Sequence, residues 1–380
     1  MKFLSRAAGH RVAARYLALA ACAALTGLLG ACERKNTPEG APALGLPPIP
    51  YPADNPPTAA KKALGEKLFF DRRLSFNGTM SCAMCHVPEQ GFTVNELATP
   101  VGIEGASVRR NAPTLLNIAY HPRLFHDGRD GALETQIWGP LLAVNEMGNP
   151  SVGHVIDTLR SLADYMGLFE GAFDGQGATA DTIGRALATY ERSLIAGGSR
   201  FDCFRYAARN DALNEVERAG YALFAGKAHC TSCHLIGEKT ALFSDFRYHN
   251  TGIGWRHAQQ QESYRVDLGG GASANVSGAL VRRLGDPEVN DLGRFEITQD
   301  PADHWAYKTP MLREVARTAP YMHDGSLPTL EAVVAYYNAG GAGAPDQASE
   351  IVPLGLRGDE ERALVAFLRS LTGRTTRACD

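Results

Sequence analysis

Excess charge of either sign is missing from this 380-residue chain: 38 basic residues stand against 41 acidic ones, a formal net charge of −3. A balance so close to neutral gives no argument for a nucleic-acid partner or an anionic surface. Strand signals are sparse, which excludes a sheet-dominated fold. Tryptophan is scarce, three copies in all. An apolar stretch sufficient for a membrane span is also missing. The run Tyr16 to Leu29 is too short and wrongly flanked, with Arg6 and Arg11 ahead of it.

That run has the form of an export signal. It ends in Leu29-Gly30-Ala31-Cys32, which resembles a bacterial lipobox: residues 1–31 would be removed and Cys32 would carry a lipid. The alternative is a plain secretory signal cut nearby, with Cys32 incidental. Either reading puts the mature protein outside the cytoplasm, in the periplasm, and the first adds an anchor to the membrane surface. Residues 32–58 are rich in Pro, Gly and Ala without apolar period and read as a tether.

Two pentapeptides dominate what is present: Cys82-Ala83-Met84-Cys85-His86 and Cys230-Thr231-Ser232-Cys233-His234. Each offers two thiols for covalent haem attachment and a histidine for the iron. A zinc knuckle or a redox dithiol would explain one such motif. Two in an exported chain indicate two haem c groups. Of eight cysteines, Cys22 leaves with the signal, Cys32 is the lipid candidate and four hold haem. Cys203 and Cys379 remain, either as a disulfide or as two unrelated thiols.

Helical periodicity is frequent, in Ile183, Leu187, Tyr190 and Leu194, and in the capped run from Gly358-Asp359-Glu360 through Leu364, Phe367, Leu368 and Leu371. The expected fold is mostly α. An internal repeat refines it: Pro113, Leu115, Ala119, His126-Asp127-Gly128 and Leu133-Glu134 recur at identical offsets as Pro310, Leu312, Ala316, His323-Asp324-Gly325 and Leu330-Glu331. Gly65-x-x-Leu68-Phe69 and Gly220-x-x-Leu223-Phe224 add an upstream match. The chain therefore reads as two tandem c-type cytochrome domains related by duplication, 59–200 and 205–375, with a loop-rich insertion within 235–305 of the second.

These residues resemble the dihaem cytochrome c peroxidase and MauG family, and within it the MbnH-type branch. The resemblance covers nearly the whole mature chain. It rests on Ser81-Cys82-x-x-Cys85-His86 with Pro88-Glu89-x-Gly91-Phe92, on Arg110-Asn111-x-Pro113-Thr114-x-x-Asn117, and on Tyr307-Lys308-Thr309-Pro310-x-Leu312-Arg313 with Ala319-Pro320-Tyr321-x-His323-Asp324-Gly325. It implies that the N-terminal haem activates hydrogen peroxide and the C-terminal haem is six-coordinate. On the distal side of the first, the resemblance assigns Glu146 to proton transfer, Gln136 to orienting peroxide and Pro140 to crowding the site without a ligand. A capping or surface carboxylate is the plainer reading of Glu146.

Many relatives carry a histidine about sixteen residues after the first haem histidine, which plugs the iron until reduction; here that spacing falls on Gly102. For the second haem the resemblance points to Tyr307 as distal ligand, with Met311 as alternative and core packing as the bland explanation. Asn117 would contribute to a calcium ion between the haems, or is a turn asparagine. His126 stands where relatives have a relay tryptophan. Trp138 is the best local relay candidate, with core packing the commoner role. His229, His249, His257 and His304 have no supporting spacing. The implied activity uses peroxide to form a high-valent two-iron state that oxidises tryptophan on a partner protein. The alternative is a periplasmic cytochrome c peroxidase that takes electrons from a small cytochrome or cupredoxin.

Overall fold

The computed structural model describes residues 42–260, 263–269, 272–277, 291–373 and 379. The signal segment, Cys32 and the first part of the tether lie outside the described residues. Helices dominate. Among the described residues, those of nine residues or more are α1 (Ala59–Phe70), α2 (Val152–Ser161), α3 (Ala180–Arg192), α4 (Glu215–Ala225), α5 (Leu330–Asn338) and α6 (Gly358–Arg369). Among the described residues, strands form two antiparallel pairs: β1 (Tyr248–Asn250) with β4 (Ala306–Lys308), and β2 (Ser263–Gly269) with β3 (Ala272–Ser277). Among the described residues no helix is long and apolar enough to cross a membrane.

Local signals account for the helix ends. The Thr58 hydroxyl accepts the Lys61 amide and starts α1, and Thr179 and Thr182 form a reciprocal capping box at α3. The apolar faces then build two core clusters. Leu64, Leu68 and Phe69 of α1 pack with Ile183, Leu187 and Tyr190 of α3. Phe224 of α4 packs with Leu364, Phe367 and Leu368 of α6 around Phe201. Each such side chain contributes about 1.5–3 kcal/mol when fully buried.

Both crossings depend on a glycine at the same place in the repeat. A Cβ on Gly65 would stand 2.0 Å from the Ala186 carbonyl oxygen, and one on Gly220 would stand 1.9 Å from that of Ala363. Only hydrogen fits there, so the backbones approach directly. Further correspondences accompany the repeat. Asn117 and Glu314 have φ of 63° and 61°, Phe125 and Met322 of 63° and 74°, Gly128 and Gly325 of 73° and 67°. The isolated bridge Leu124–Asp130 is matched by Tyr321–Leu327.

Cys203 and Cys379 are joined as a disulfide with a Cα separation of 5.4 Å. Arg313 supplies a second long-range tie. Its guanidinium pairs with Asp202 at 2.8 Å and donates to the carbonyls of Ala241 and Gly45, each at 2.7 Å. Both partners are essentially sealed from solvent, at 1% and 0% side-chain exposure.

Candidate active site

Each Cys-x-x-Cys-His segment is a single tight turn, and a residue further along the chain aims the histidine. Cys82–Cys85 is one helical turn, after which Phe92 adopts a φ of 56° and presents its carbonyl to His86. Nδ1 of His86 donates to that oxygen at 3.1 Å. The second segment repeats the device: Phe243 has a φ of 54°, and Nδ1 of His234 donates to its carbonyl at 2.8 Å. A carbonyl only accepts, so Nδ1 carries the proton and Nε2 is the lone-pair nitrogen. This is the arrangement a metal-ligating histidine needs, with ring orientation and tautomer set by the outer bond. Burial lowers the pKa of both rings and so keeps them neutral.

A cavity of about 330 Å³ opens beside the second segment, lined by Cys230, Cys233, His234, Tyr307, Met311, His323 and Tyr337 among others. Its thiols and ligating nitrogen on one side and apolar walls on the other fit a covalently held haem. The cavity extends to Asn111, Pro113 and His126, so it reaches the N-terminal half.

Gln136, Pro140 and Glu146 fall on consecutive short turns. Gln136 closes the helix Leu133–Gln136, and Pro140 lies one helical repeat on, within Trp138–Leu142. The chain then doubles back: the amides of Glu146 and Gly148 both donate to the Ala143 carbonyl, and that of Met147 to Pro140. Burial raises the pKa of both the Cys82 and Cys85 thiols, and the Glu146 charge lies close enough to add to each. Burial shifts the Glu146 carboxyl upward, opposed weakly by Arg129. Among the described residues, neither the Gln136 carboxamide nor the Glu146 carboxyl is engaged in a hydrogen bond with protein. Gly102 packs directly on Glu146, with no room for a side chain.

Tyr307 lines the cavity beside the second segment, and its side chain is engaged by neighbouring protein groups. Its hydroxyl donates to the Asp291 carbonyl at 3.1 Å, and its ring stacks on His323 with centroids 3.5 Å apart and planes 10° from parallel. The Arg110 guanidinium lies 5.6 Å from that ring and is itself held by Asp127 and Asp291. Met311 is buried with Leu46 and Tyr120. The tyrosine that presents a hydroxyl without a protein hydrogen bond beside Cys230 and Cys233 is Tyr337. Burial drives its pKa up, with both thiols adding to the shift. Leu330, Val334 and Tyr337 share one face of α5, and all three line the cavity. That shared face is legible in the sequence as the i, i+4, i+7 spacing of Leu330, Val334 and Tyr337.

The remaining candidates are accounted for by local contacts. Asn117 accepts the Ala196 amide at 2.9 Å and donates to the Ala196 carbonyl at 2.8 Å. A calcium ion there would have to share the carboxamide oxygen. His126 donates through Nε2 to the Asn111 carbonyl at 2.9 Å, and burial pushes its pKa down to about 4, so it is neutral. Trp138 packs against the N-terminal core. His249 faces Asp245 at 2.9 Å and lines the same cavity. His304 stacks on Trp305.

Known proteins are similar to this chain in sequence and in fold. Residues 59–211 match the family described as "Di-haem cytochrome c peroxidase", and residues 306–337 match "RoxA-like, cytochrome c-like". "Cytochrome-c peroxidase IdrP1" of Denitromonas iodatirespirans is 36% identical, covering 94% of this chain and 92% of the relative. "Methylamine utilization protein MauG" of Methylorubrum extorquens is also 36% identical, covering 85% and 81%. Among solved structures, a "MauG-like protein associated with microbial copper homeostasis" is 31% identical with a TM-score of 0.70, covering 87% of this chain and 94% of that one.

Proposed function

Because this chain belongs to the dihaem cytochrome c peroxidase (MauG) family and is a peroxide-dependent dihaem oxidoreductase, we propose that it uses hydrogen peroxide to oxidise tryptophan on an exported partner protein. The observation that carries this reading is a pair of unspent polar groups, Gln136 and Glu146, the second close to the first Cys-x-x-Cys turn, with Gly102 packed on the Glu146 backbone at the spacing where relatives carry the plugging histidine. A site open in the ferric state suits an oxidant that needs no prior reduction. The relative associated with copper homeostasis supports a metal-handling partner. The peroxidase relatives are equally similar and support the second reading, peroxide removal with electrons from a small redox protein.

Haem, once attached through Cys82 and Cys85 and through Cys230 and Cys233, supplies redox equivalents that no side chain can hold. Glu146, as carboxylate, takes a proton from hydrogen peroxide and returns it to the departing oxygen, which leaves as water. Gln136 orients the peroxide by hydrogen bonding, and Pro140 fills space without offering a ligand atom. Since burial favours the protonated carboxyl, the acid limb of the reaction lies above the range of an ordinary glutamate, about pH 4.3.

Tyr337 is our choice for the distal ligand of the second haem in place of Tyr307. Ligation requires the tyrosinate and therefore releases a proton. The two halves derive from one duplicated haem unit in this reading, supported by the paired glycines and matched positive-φ residues. The protein works in the periplasm, anchored through Cys32.

The test is low-temperature EPR and Mössbauer spectroscopy of the ferric protein before and after one equivalent of peroxide, with mass spectrometry of the partner. One high-spin and one low-spin haem, a response without prior reduction and oxygen added to a partner tryptophan are expected. Two low-spin haems, or a response only after one-electron reduction, would transfer the assignment to a scavenging peroxidase.

A further inference from the structure

We infer that Gly102 is a positioning residue for Glu146, and that the loop 100–108 is a clamp holding this acid/base group beside the N-terminal haem-attachment turn. The inference rests on Glu146 acting on peroxide as proposed above. It starts from what glycine is needed for. The φ of Gly102 is −89°, a value open to other residues, so conformational freedom is not the reason. Space is. A Cβ there would stand 2.1 Å from the Asn145 carbonyl oxygen and 2.7 Å from the Glu146 Cα. Both are backbone atoms, which cannot swing aside as a side chain can.

The loop is organised before it meets Glu146. Gly102 donates to the Ala106 carbonyl at 2.8 Å, Val108 to Pro100 at 3.0 Å, and Val101 bridges Ser107. From this unit the Ile103 amide donates to the Glu146 carbonyl at 2.9 Å. Ser107 accepts from the Asn145 carboxamide at 3.3 Å. On the far side of Glu146, Gly148 has a φ of 66°, and its missing Cβ would fall 2.1 Å from Ile103 Cδ1, so the isoleucine seats against bare backbone. Glu146 is thus gripped at the preceding carbonyl, its own Cα and carbonyl, and the second residue beyond. Restoring ordinary contact at Gly102→Ala moves one partner by about 1 Å, a misplacement that costs on the order of 100-fold when it reaches a catalytic group.

The experiment uses the haem-loaded ferric protein. The rate of reaction with hydrogen peroxide is measured across pH for wild type, Gly102→Ala, Ile103→Ala and Glu146→Gln, with hydrogen exchange followed in peptides spanning 100–108 and 143–148. Gly102→Ala should retain both haems, slow the reaction by about 10- to 100-fold and shift its acid limb, and both peptides should lose protection together. Ile103→Ala should act in the same direction and more weakly. If Gly102→Ala fails to load haem, Ile103→Ala decides the question by the same readouts. A wild-type rate, pH profile and exchange pattern in the clamp variants, while Glu146→Gln is impaired, would overturn the clamp alone. A wild-type rate in Glu146→Gln would instead overturn the role given to Glu146.

Discussion

Replacing Tyr337 by phenylalanine, beside the same change at Tyr307, separates two tyrosines that line the cavity. The Tyr337 hydroxyl makes no hydrogen bond to protein among the described residues, so its removal takes no such bond from the fold. Tyr307→Phe loses one neutral hydrogen bond, to the Asp291 carbonyl, worth about 0.5–1.5 kcal/mol. On stability alone, Tyr307→Phe should be the more damaging, by a few degrees of Tm at most. On spectroscopy the order should reverse. With Tyr337 as ligand, Tyr337→Phe removes the sixth donor of the second haem, converts its low-spin EPR signal to high-spin and leaves the first haem unaltered. Tyr337→Met should restore six-coordination with a higher reduction potential, since a thioether replaces an anionic oxygen. The assay is EPR and redox titration of the three variants, with thermal melts alongside. A low-spin signal that survives Tyr337→Phe and disappears in Tyr307→Phe would refute the reasoning.

Other perturbations test the scaffold. Asp202→Asn leaves the sealed Arg313 guanidinium without its counter-charge and should destabilise the protein by about 3–5 kcal/mol in urea unfolding. Gly220→Ala pushes a methyl into the Ala363 carbonyl and should lower stability by about 1–3 kcal/mol, with Gly65→Ala losing a similar amount. Reducing the Cys203–Cys379 bond, which closes a loop of 176 positions, should cost up to about 5 kcal/mol by chain entropy and lower the urea midpoint. Glu191 is buried with Oε2 unpartnered, and burial raises its pKa to about 8. A folded-state pKa above the unfolded value means stability present at low pH and lost as pH rises through about 8, so the urea midpoint should fall between pH 5 and 8. Glu191→Gln should flatten that fall.

The two Cys-x-x-Cys-His pentapeptides were legible because covalent haem attachment and iron ligation would demand five consecutive positions, and local chemistry of that kind needs no tertiary context. Helices α3 and α6 were legible for a similar reason: apolar period and capping residues act within one element. Leu194 shows the limit, since the periodic run continues past Arg192, where α3 ends. The sequence also left Cys203 and Cys379 as a possible pair, but only the folded chain decided that their Cα atoms come within bonding reach. It pointed to Tyr307 because that residue adjoins a recognisable segment. In the fold both tyrosines line the cavity, with the Tyr307 hydroxyl engaged by the Asp291 carbonyl and that of Tyr337 making no hydrogen bond to described protein groups. Gly102 was readable only as the residue at a spacing where relatives have histidine. That its missing side chain admits the backbone of Glu146 depends on two loops meeting some forty residues apart in the chain. Attachment chemistry is written in neighbouring residues, whereas which polar groups are left unspent for ligation or proton transfer depends on how distant segments pack.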